Sequence, residues 1–236
     1  MTVARSGTWV RSALVDDLRG GLVVSCQADP GTPLDHSSHM VAMARSAVGG
    51  GAVGIRAEGS QNVAAIRSAV TVPVIGLWKE EPREGVFITP TVALAEAVVA
   101  AGADIVAADA TRRPRPDGRS LVETIAAVHR AGRLFLADVA TVEEGLLAEE
   151  AGADLVATTL AGYVGDGAHG DGPDIRLVEA LAGTVRVPVI AEGRISTPEQ
   201  ARQALDAGAW AVVVGKAITA PTSITARFVT ALSRRP

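Results

Sequence analysis

Eight short runs of β-branched and small apolar residues, each followed by an alanine-rich helical stretch, predict a single parallel (β/α)8 barrel, commonly called a TIM barrel. Three observations carry that expectation. The apolar runs lack polar alternation, which marks strands buried on both faces. They alternate with helices without the signal of an antiparallel hairpin. The length of 236 residues is close to the roughly 250 typical of one such barrel. An open, doubly wound sheet is the architectural alternative. No Ser/Pro/Gly tract, charge block or low-complexity run divides the chain, so one domain over residues 1–236 is expected.

The strands are expected near Gly21–Cys26, Ala52–Ala57, Pro73–Leu77, Asp104–Ala108, Arg133–Asp138, Asp154–Thr158, Pro188–Glu192 and Ala211–Gly215. The helices fall between them, near His36–Val48, Gln61–Ala69, Thr91–Ala101, Ser120–Ala131, Val142–Ala151, Ile175–Leu181, Thr197–Ala207 and Thr222–Leu232. A short extra helix at about Val10–Leu18 precedes strand 1 and is placed to plug the bottom of the barrel. Ser196-Thr197-Pro198-Glu199 offers a capping hydroxyl followed by proline in a first turn. Thr141 precedes two glutamates that favour the positive end of a helix dipole. Glycines near 49–51, 102, 152 and 208 stand where left-handed residues would stop four of the helices. Pro73 and Pro188 suit the first residue of a strand.

Composition narrows the function. Aromatic residues are 3% of the chain, and the net charge of −4 is spread without a basic stripe, so nucleic-acid binding is not expected. No signal-peptide core and no uncharged apolar run of membrane-spanning length is present. The single cysteine, Cys26, excludes an internal disulfide. These features lead to the expectation of a cytoplasmic protein.

In this fold chemistry sits at the C-terminal ends of the strands and in the loops that follow. Those positions carry Ser25-Cys26-Gln27, Arg56, Trp78-Lys79, Asp109 with Thr111 to Arg115, Asp138, Thr158-Thr159, Glu192-Gly193-Arg194 and Gly215-Lys216. Gly193, Arg194, Gly215 and Lys216 mark a phosphate cradle. Glycine lets backbone amides approach the anion, and the loops after strands 7 and 8 are its usual place in this fold. Two tight turns are the bland reading of the same residues.

Lys79 and Glu192 form the best acid/base pair. A lysine drawn into a partly dry mouth can serve as a base, and a carboxyl group across the barrel can hold a proton near a carbonyl oxygen. Lys79 could instead be an anion's partner, and Glu192 a salt-bridge partner of Arg56 or Lys79. Asp109 and Asp138 are sugar ligands, orienting groups for Lys79, or buried partners of arginines. His36 and His39 lack further metal ligands, which favours a capping or surface role. Cys26 reads as a small buried residue. The segment from Gly165 to Gly172, with His169, follows Tyr163 as a loop able to cover the site.

Several runs together resemble the N-acetylmannosamine-6-phosphate 2-epimerase family: Ser25-Cys26-Gln27-Ala28, Gly51 to Ala57, Pro73 to Gly76 followed by Lys79, Phe87-Ile88-Thr89-Pro90-Thr91, Ala108 to Thr111, Arg115 to Gly118, Ala137-Asp138, Thr158 to Tyr163, Val187 to Ile195 and Gly215 to Thr219. The match extends from about Leu18 to Phe228. What the resemblance implies is epimerisation at carbon 2 of N-acetylmannosamine 6-phosphate during sialic-acid breakdown, without a cofactor. It also implies Lys79 as the base, Glu192 as the partner at the carbonyl, and Gln27, Arg56 and Asp138 as sugar ligands. A homodimer follows from the resemblance alone. The chain departs from the family at Ala220, where an arginine meets the phosphate, and it carries Lys216 where a small residue is usual. That departure leaves open an unphosphorylated or different amino sugar. A flavin-binding oxidoreductase barrel and a non-catalytic sugar-phosphate sensor are further alternatives.

Overall fold

Alternation along each strand decides which side chains meet inside the sheet and which pack under the helices. The computed structural model describes residues 13–80, 85–164 and 171–233. Eight parallel strands close into a barrel in sequence order: β1 (Leu22–Cys26), β2 (Gly54–Glu58), β3 (Val74–Leu77), β4 (Ile105–Asp109), β5 (Leu134–Asp138), β6 (Leu155–Ala157), β7 (Val189–Glu192) and β8 (Ala211–Val214). Pairing of β8 with β1, Val212 beside Leu22, completes the ring. Closure rules out the open-sheet alternative.

The helices alternate with the strands: α1 (Ala13–Asp16), α2 (Ser37–Gly49), α3 (Ser60–Arg67), α4 (Val92–Ala100), α5 (Leu121–Arg130), α6 (Val142–Ala151), α7 (Ile175–Ala182), α8 (Pro198–Asp206), α9 (Lys216–Thr219) and α10 (Pro221–Ser233). Side-chain oxygens of Thr91, Ser120, Thr141, Asp174 and Thr197 accept from first-turn amides at their helix starts, and Ser120 with Glu123 forms a reciprocal capping box. Gly51, Gly102, Gly152 and Gly208 all have positive φ, as the expected helix stops require.

The barrel interior is filled by Val23, Ile75, Leu77, Ile105, Ala107, Leu136, Leu155, Ala157, Ile190, Ala211 and Val213. Val15 and Leu18 join this cluster from the first turn of chain, so the expected plug closes the bottom. The part of that helix assigned to residues 10–12 lies outside the described residues. Gly54 makes the room: a β-carbon there would lie 2.9 Å from Leu18 Cδ2. The alternate strand residues, among them Ile55, Ala57, Val74, Val106, Ala108, Phe135, Ala137 and Val156, pack outward against the helices.

Three local expectations need correction. An antiparallel bridge joins Lys79 to Ile88, so a small hairpin projects beyond β3 where no hairpin is expected from the sequence. Its arms are joined by Thr89 N–H donating to Trp78 O at 2.6 Å and Glu80 N–H donating to Phe87 O at 3.0 Å. The arms are separated by far more than a two-residue turn and so give no short-range hairpin signal. Pro73 and Pro188 stand just before their strands rather than within them, because neither can donate to a ladder. The one-turn helix α9 stands between β8 and α10 as an element additional to the expected helices.

Candidate active site

Six positions at the mouth stand two places beyond an interior apolar residue. Lys79 follows Leu77, Asp109 follows Ala107, Asp138 follows Leu136, Thr159 follows Ala157, Glu192 follows Ile190 and Gly215 follows Val213. On β2, Ile55 and Ala57 face outward, which sends Arg56 inward. A period of two therefore delivers seven chain segments to one mouth.

At its centre is a buried ion-pair cluster. Arg56 is 1% exposed and Asp138 0%. Arg56 Nη1 donates to Asp138 Oδ1 at 3.0 Å and to Glu192 Oε2 at 2.7 Å, and Nη2 donates to Asp138 Oδ2 at 2.6 Å. Thr159 Oγ1 stands 2.6 Å from Asp138 Oδ1 and 3.1 Å from Glu192 Oε2. Thr158 Oγ1 donates to Glu192 O and accepts from Glu192 N–H, which fixes the end of β7 against β6. Burial works against the charge on Arg56, but Asp138 and Glu192 outweigh it and hold the guanidinium firmly protonated. Burial pushes the Glu192 carboxyl up; Arg56 opposes this and Asp138 reinforces it.

Lys79 lies on the first arm of the hairpin, and its Nζ donates to Gln27 Oε1 at 2.5 Å. Gln27 Nε2 donates in turn to Ser25 Oγ at 2.9 Å. The structure thus brings Gln27 and Lys79 together, and Arg56, Asp138 and Glu192 together. The Lys79 charge is near enough to favour ionisation of Glu192.

The hairpin is braced from β4. Asp109 is fully buried and accepts from Thr111 N–H and Oγ1 through Oδ1, and from Arg113 Nη2 at 2.5 Å through Oδ2. Arg113 Nη1 also donates to Gly85 O at 2.6 Å, and Arg115 donates to both Asp109 O and Thr89 O. Thr89 adopts φ 45°, a strained value for a β-branched residue, and its Oγ1 donates to Ala107 O while accepting from Trp78 N–H. Of the three readings of the aspartates, both take that of buried arginine partner.

On the other side of the mouth, Gly193 has φ 115°, and Gly215 opens α9 where a β-carbon would lie 3.4 Å from Ser25 Cβ. The amides of Gly193, Gly215, Lys216 and Ala217 donate to no protein acceptor among the described residues. Lys216 is exposed at the first position of α9. Arg194 behaves differently from the expected anion ligand. With φ 54°, it donates to Gly172 O at 2.9 Å and to Ala161 O at 2.6 Å, and it lies over the Tyr163 ring. It ties down both ends of the segment after β6. His169 lies outside the described residues.

His36 caps α2 by accepting from Ser38 N–H, and burial pushes the Cys26 thiol up to about 12, so neither takes part in the site. The sequence places Thr159 at the mouth without a role, and the structure sets it against both Asp138 and Glu192. Its place two residues after Ala157 was the available signal.

A (β/α)8 barrel with two acid/base candidates over a buried guanidinium, and with unpaired amides after β7 and β8, is of the class that holds phosphorylated small molecules at the top of the barrel. Comparison with known proteins is specific. The model of the family described as "Putative N-acetylmannosamine-6-phosphate epimerase" matches residues 40–234, and the chain belongs to that family. A Cutibacterium acnes relative named "Putative N-acetylmannosamine-6-phosphate 2-epimerase" is 54% identical over 222 residues, 93% of this chain and 96% of that protein. A Caldanaerobacter subterraneus relative with the same name is 48% identical, covering 94% and 95% of the two chains. The solved N-acetylmannosamine-6-phosphate 2-epimerase from Clostridium perfringens superposes with a TM-score of 0.89 at 41% identity, over 97% of this chain and all of that one. A thiamine phosphate pyrophosphorylase from Pyrococcus furiosus, at 20% identity and TM-score 0.59, shares the fold alone.

Proposed function

We propose that the chain epimerises carbon 2 of N-acetylmannosamine 6-phosphate, giving N-acetylglucosamine 6-phosphate, as a step of amino-sugar breakdown. The observation that carries this reading is the pairing of Lys79 with Gln27 on one side of the mouth, opposite Glu192 held on Arg56. In the open-chain sugar the proton on carbon 2 is acidified by the neighbouring aldehyde. Lys79, as the neutral amine, removes it. The charge that develops on the aldehyde oxygen is met by Glu192 and the Arg56 guanidinium, which are already oriented before the substrate arrives. Return of the proton from the opposite face completes the inversion. Electrons and atoms balance without a redox cofactor or a metal.

Gln27, Arg56 and Asp138 make up the sugar-binding wall, with Asp138 acting through Arg56 because both its oxygens are taken. The phosphate is assigned to the amides of Gly193 and Gly215 and the start of α9, with charge supplied by Lys216. Arg194 serves this cradle by anchoring its neighbouring loop. Ala220, in place of the family arginine, favours a second reading in which an unphosphorylated amino sugar turns over as well.

The described helices include none long and apolar enough to cross a membrane. A phosphate ester does not cross a bilayer unaided, so the cytoplasm is the proposed working place. A homodimer is proposed too. Helix α10 buries none of its residues and exposes Phe228, Val229 and Leu232, an apolar surface suited to a second subunit.

Incubation in deuterium oxide tests the chemistry. The wild type is expected to place deuterium at carbon 2 of both epimers, and Lys79→Ala to lose about 10²- to 10⁴-fold in that exchange. Exchange that survives Lys79→Ala unchanged would remove the assignment. Comparable turnover with and without the 6-phosphate would select the second reading.

A further inference from the structure

Arg56 and Thr159 each serve two carboxylates, and the sharing is unequal. Asp138 takes Arg56 through both oxygens, whereas Glu192 takes it through Oε2 alone. Thr159 Oγ1 lies 2.6 Å from Asp138 and 3.1 Å from Glu192. A hydroxyl has one hydrogen to donate. Donated to the nearer, fully buried Asp138, it leaves Thr159 Oγ1 and Glu192 Oε2 facing each other with no hydrogen between them. That contact becomes a hydrogen bond only when Glu192 carries a proton and donates it to Thr159.

We infer that Thr159 and Asp138 are positioning residues that keep Glu192 as a neutral acid: Asp138 claims the shared donors, and the Thr159 oxygen receives the Glu192 proton. The inference rests on the proposed role of Glu192 at the substrate carbonyl and explains how the fold equips it for that role. A carboxylate would repel an enolate oxygen, whereas a neutral acid can turn its O–H toward it. The charged groups around Glu192 are Arg56 from β2, Lys79 from beyond β3 and Asp138 from β5, and Asp138 acts in turn on Asp109 from β4. Burial and Asp138 favour the neutral form, against Arg56, the hydrogen bond that Thr159 would donate to an ionised Glu192, and Lys79. Asp138, with no exposed surface, acts on the reaction without touching the sugar.

Infrared spectroscopy of the substrate-free protein reads this directly. A neutral carboxyl group gives a carbonyl stretch that a carboxylate lacks, and Glu192→Gln identifies the band. Following the band against pH gives the ionisation constant of Glu192. Thr159→Val removes the acceptor of the proton and is expected to raise that constant about fivefold, the worth of one ordinary hydrogen bond. Thr159→Ser restores it. Asp138→Asn releases Arg56 to Glu192 and raises the constant tenfold or more, as an arginine beside a lone carboxylate does. If Asp138→Asn does not fold, the Thr159 pair decides alone. A constant that falls in Thr159→Val means that Thr159 donates to an ionised Glu192, and this overturns the inference. So does a neutral-pH spectrum with no band removed by Glu192→Gln. No substrate is needed, so a wild type that shows the band but does not turn over the sugar phosphate refutes only the substrate assignment.

Discussion

Arg56→Met puts the central cluster to its severest test. Methionine keeps the apolar stem and removes the guanidinium, and with it three hydrogen bonds to Asp138 and Glu192. Asp138 has no exposed surface through which water could replace them. Breaking a buried ion pair from one side costs about 3–5 kcal/mol. For a chain of this size each kcal/mol moves Tm by about 2–4 °C, which amounts to a loss of roughly 6–20 °C. The loss depends on pH with a definite sign. In the variant, Asp138 and Glu192 face each other without the guanidinium, and burial with like charge disfavours ionisation of the pair in the folded state. Below the unfolded values both are neutral in either state, and the charge penalty is absent. It develops as pH rises through the raised folded values. Thermal unfolding of wild type and variant at about pH 5 and about pH 7.5 should therefore show the larger deficit at the higher pH. A Tm within about 3 °C of wild type, or a deficit equal at both pH values, would contradict the picture of a buried guanidinium on which both carboxyl groups depend.

Three further outcomes follow from other parts of the structure. In Gly76→Ala the new β-carbon would lie 2.6 Å from Val98 Cγ1 and 2.8 Å from Ala103 Cβ, so the variant should lose about 1–3 kcal/mol in denaturant melts. Arg113→Ala releases Gly85 and Asp109, loosening the hairpin that carries Lys79. It should lower kcat about tenfold to a hundredfold with a smaller change in KM, as small displacements of a catalytic group do. Cys26, buried and with its thiol pushed up to about 12, should resist alkylation at mildly alkaline pH until the protein unfolds, which mass spectrometry of the native and denatured protein can follow.

The barrel was legible because buried parallel strands leave a local signature. Runs such as residues 105–108 and Ala211–Val214 are apolar on both faces, and the glycines at 102, 152 and 208 are needed for backbone conformations that side chains resist. The mouth was legible for a related reason. Once Leu136 and Ile190 face inward, Asp138 and Glu192 must do the same. What local sequence does not encode is pairing at a distance. Arg56 and Glu192 lie 136 residues apart, and motif spacing left the choice between a catalytic Glu192 and a salt-bridged one open; the structure contains the salt bridge. The hairpin of Lys79 and Ile88 has no short-range signal because its arms are far apart in sequence, and the second arm is held by Arg113 and Arg115 from the loop after β4. Arg194 was assigned to an anion because arginine beside glycine at a strand end suits that role equally well. Its carbonyl partners at Ala161 and Gly172 are visible only in three dimensions.

By itself the sequence determined the order of elements, the parity of each strand and so the set of side chains that reach the barrel's open end. These follow from periodicity and backbone preference, which act over a few residues. The tertiary structure decided which of those side chains share a guanidinium or a hydroxyl. That choice depends on closure of the ring, which brings β2, β5, β6 and β7 to a common centre and removes the water that would otherwise separate their charges.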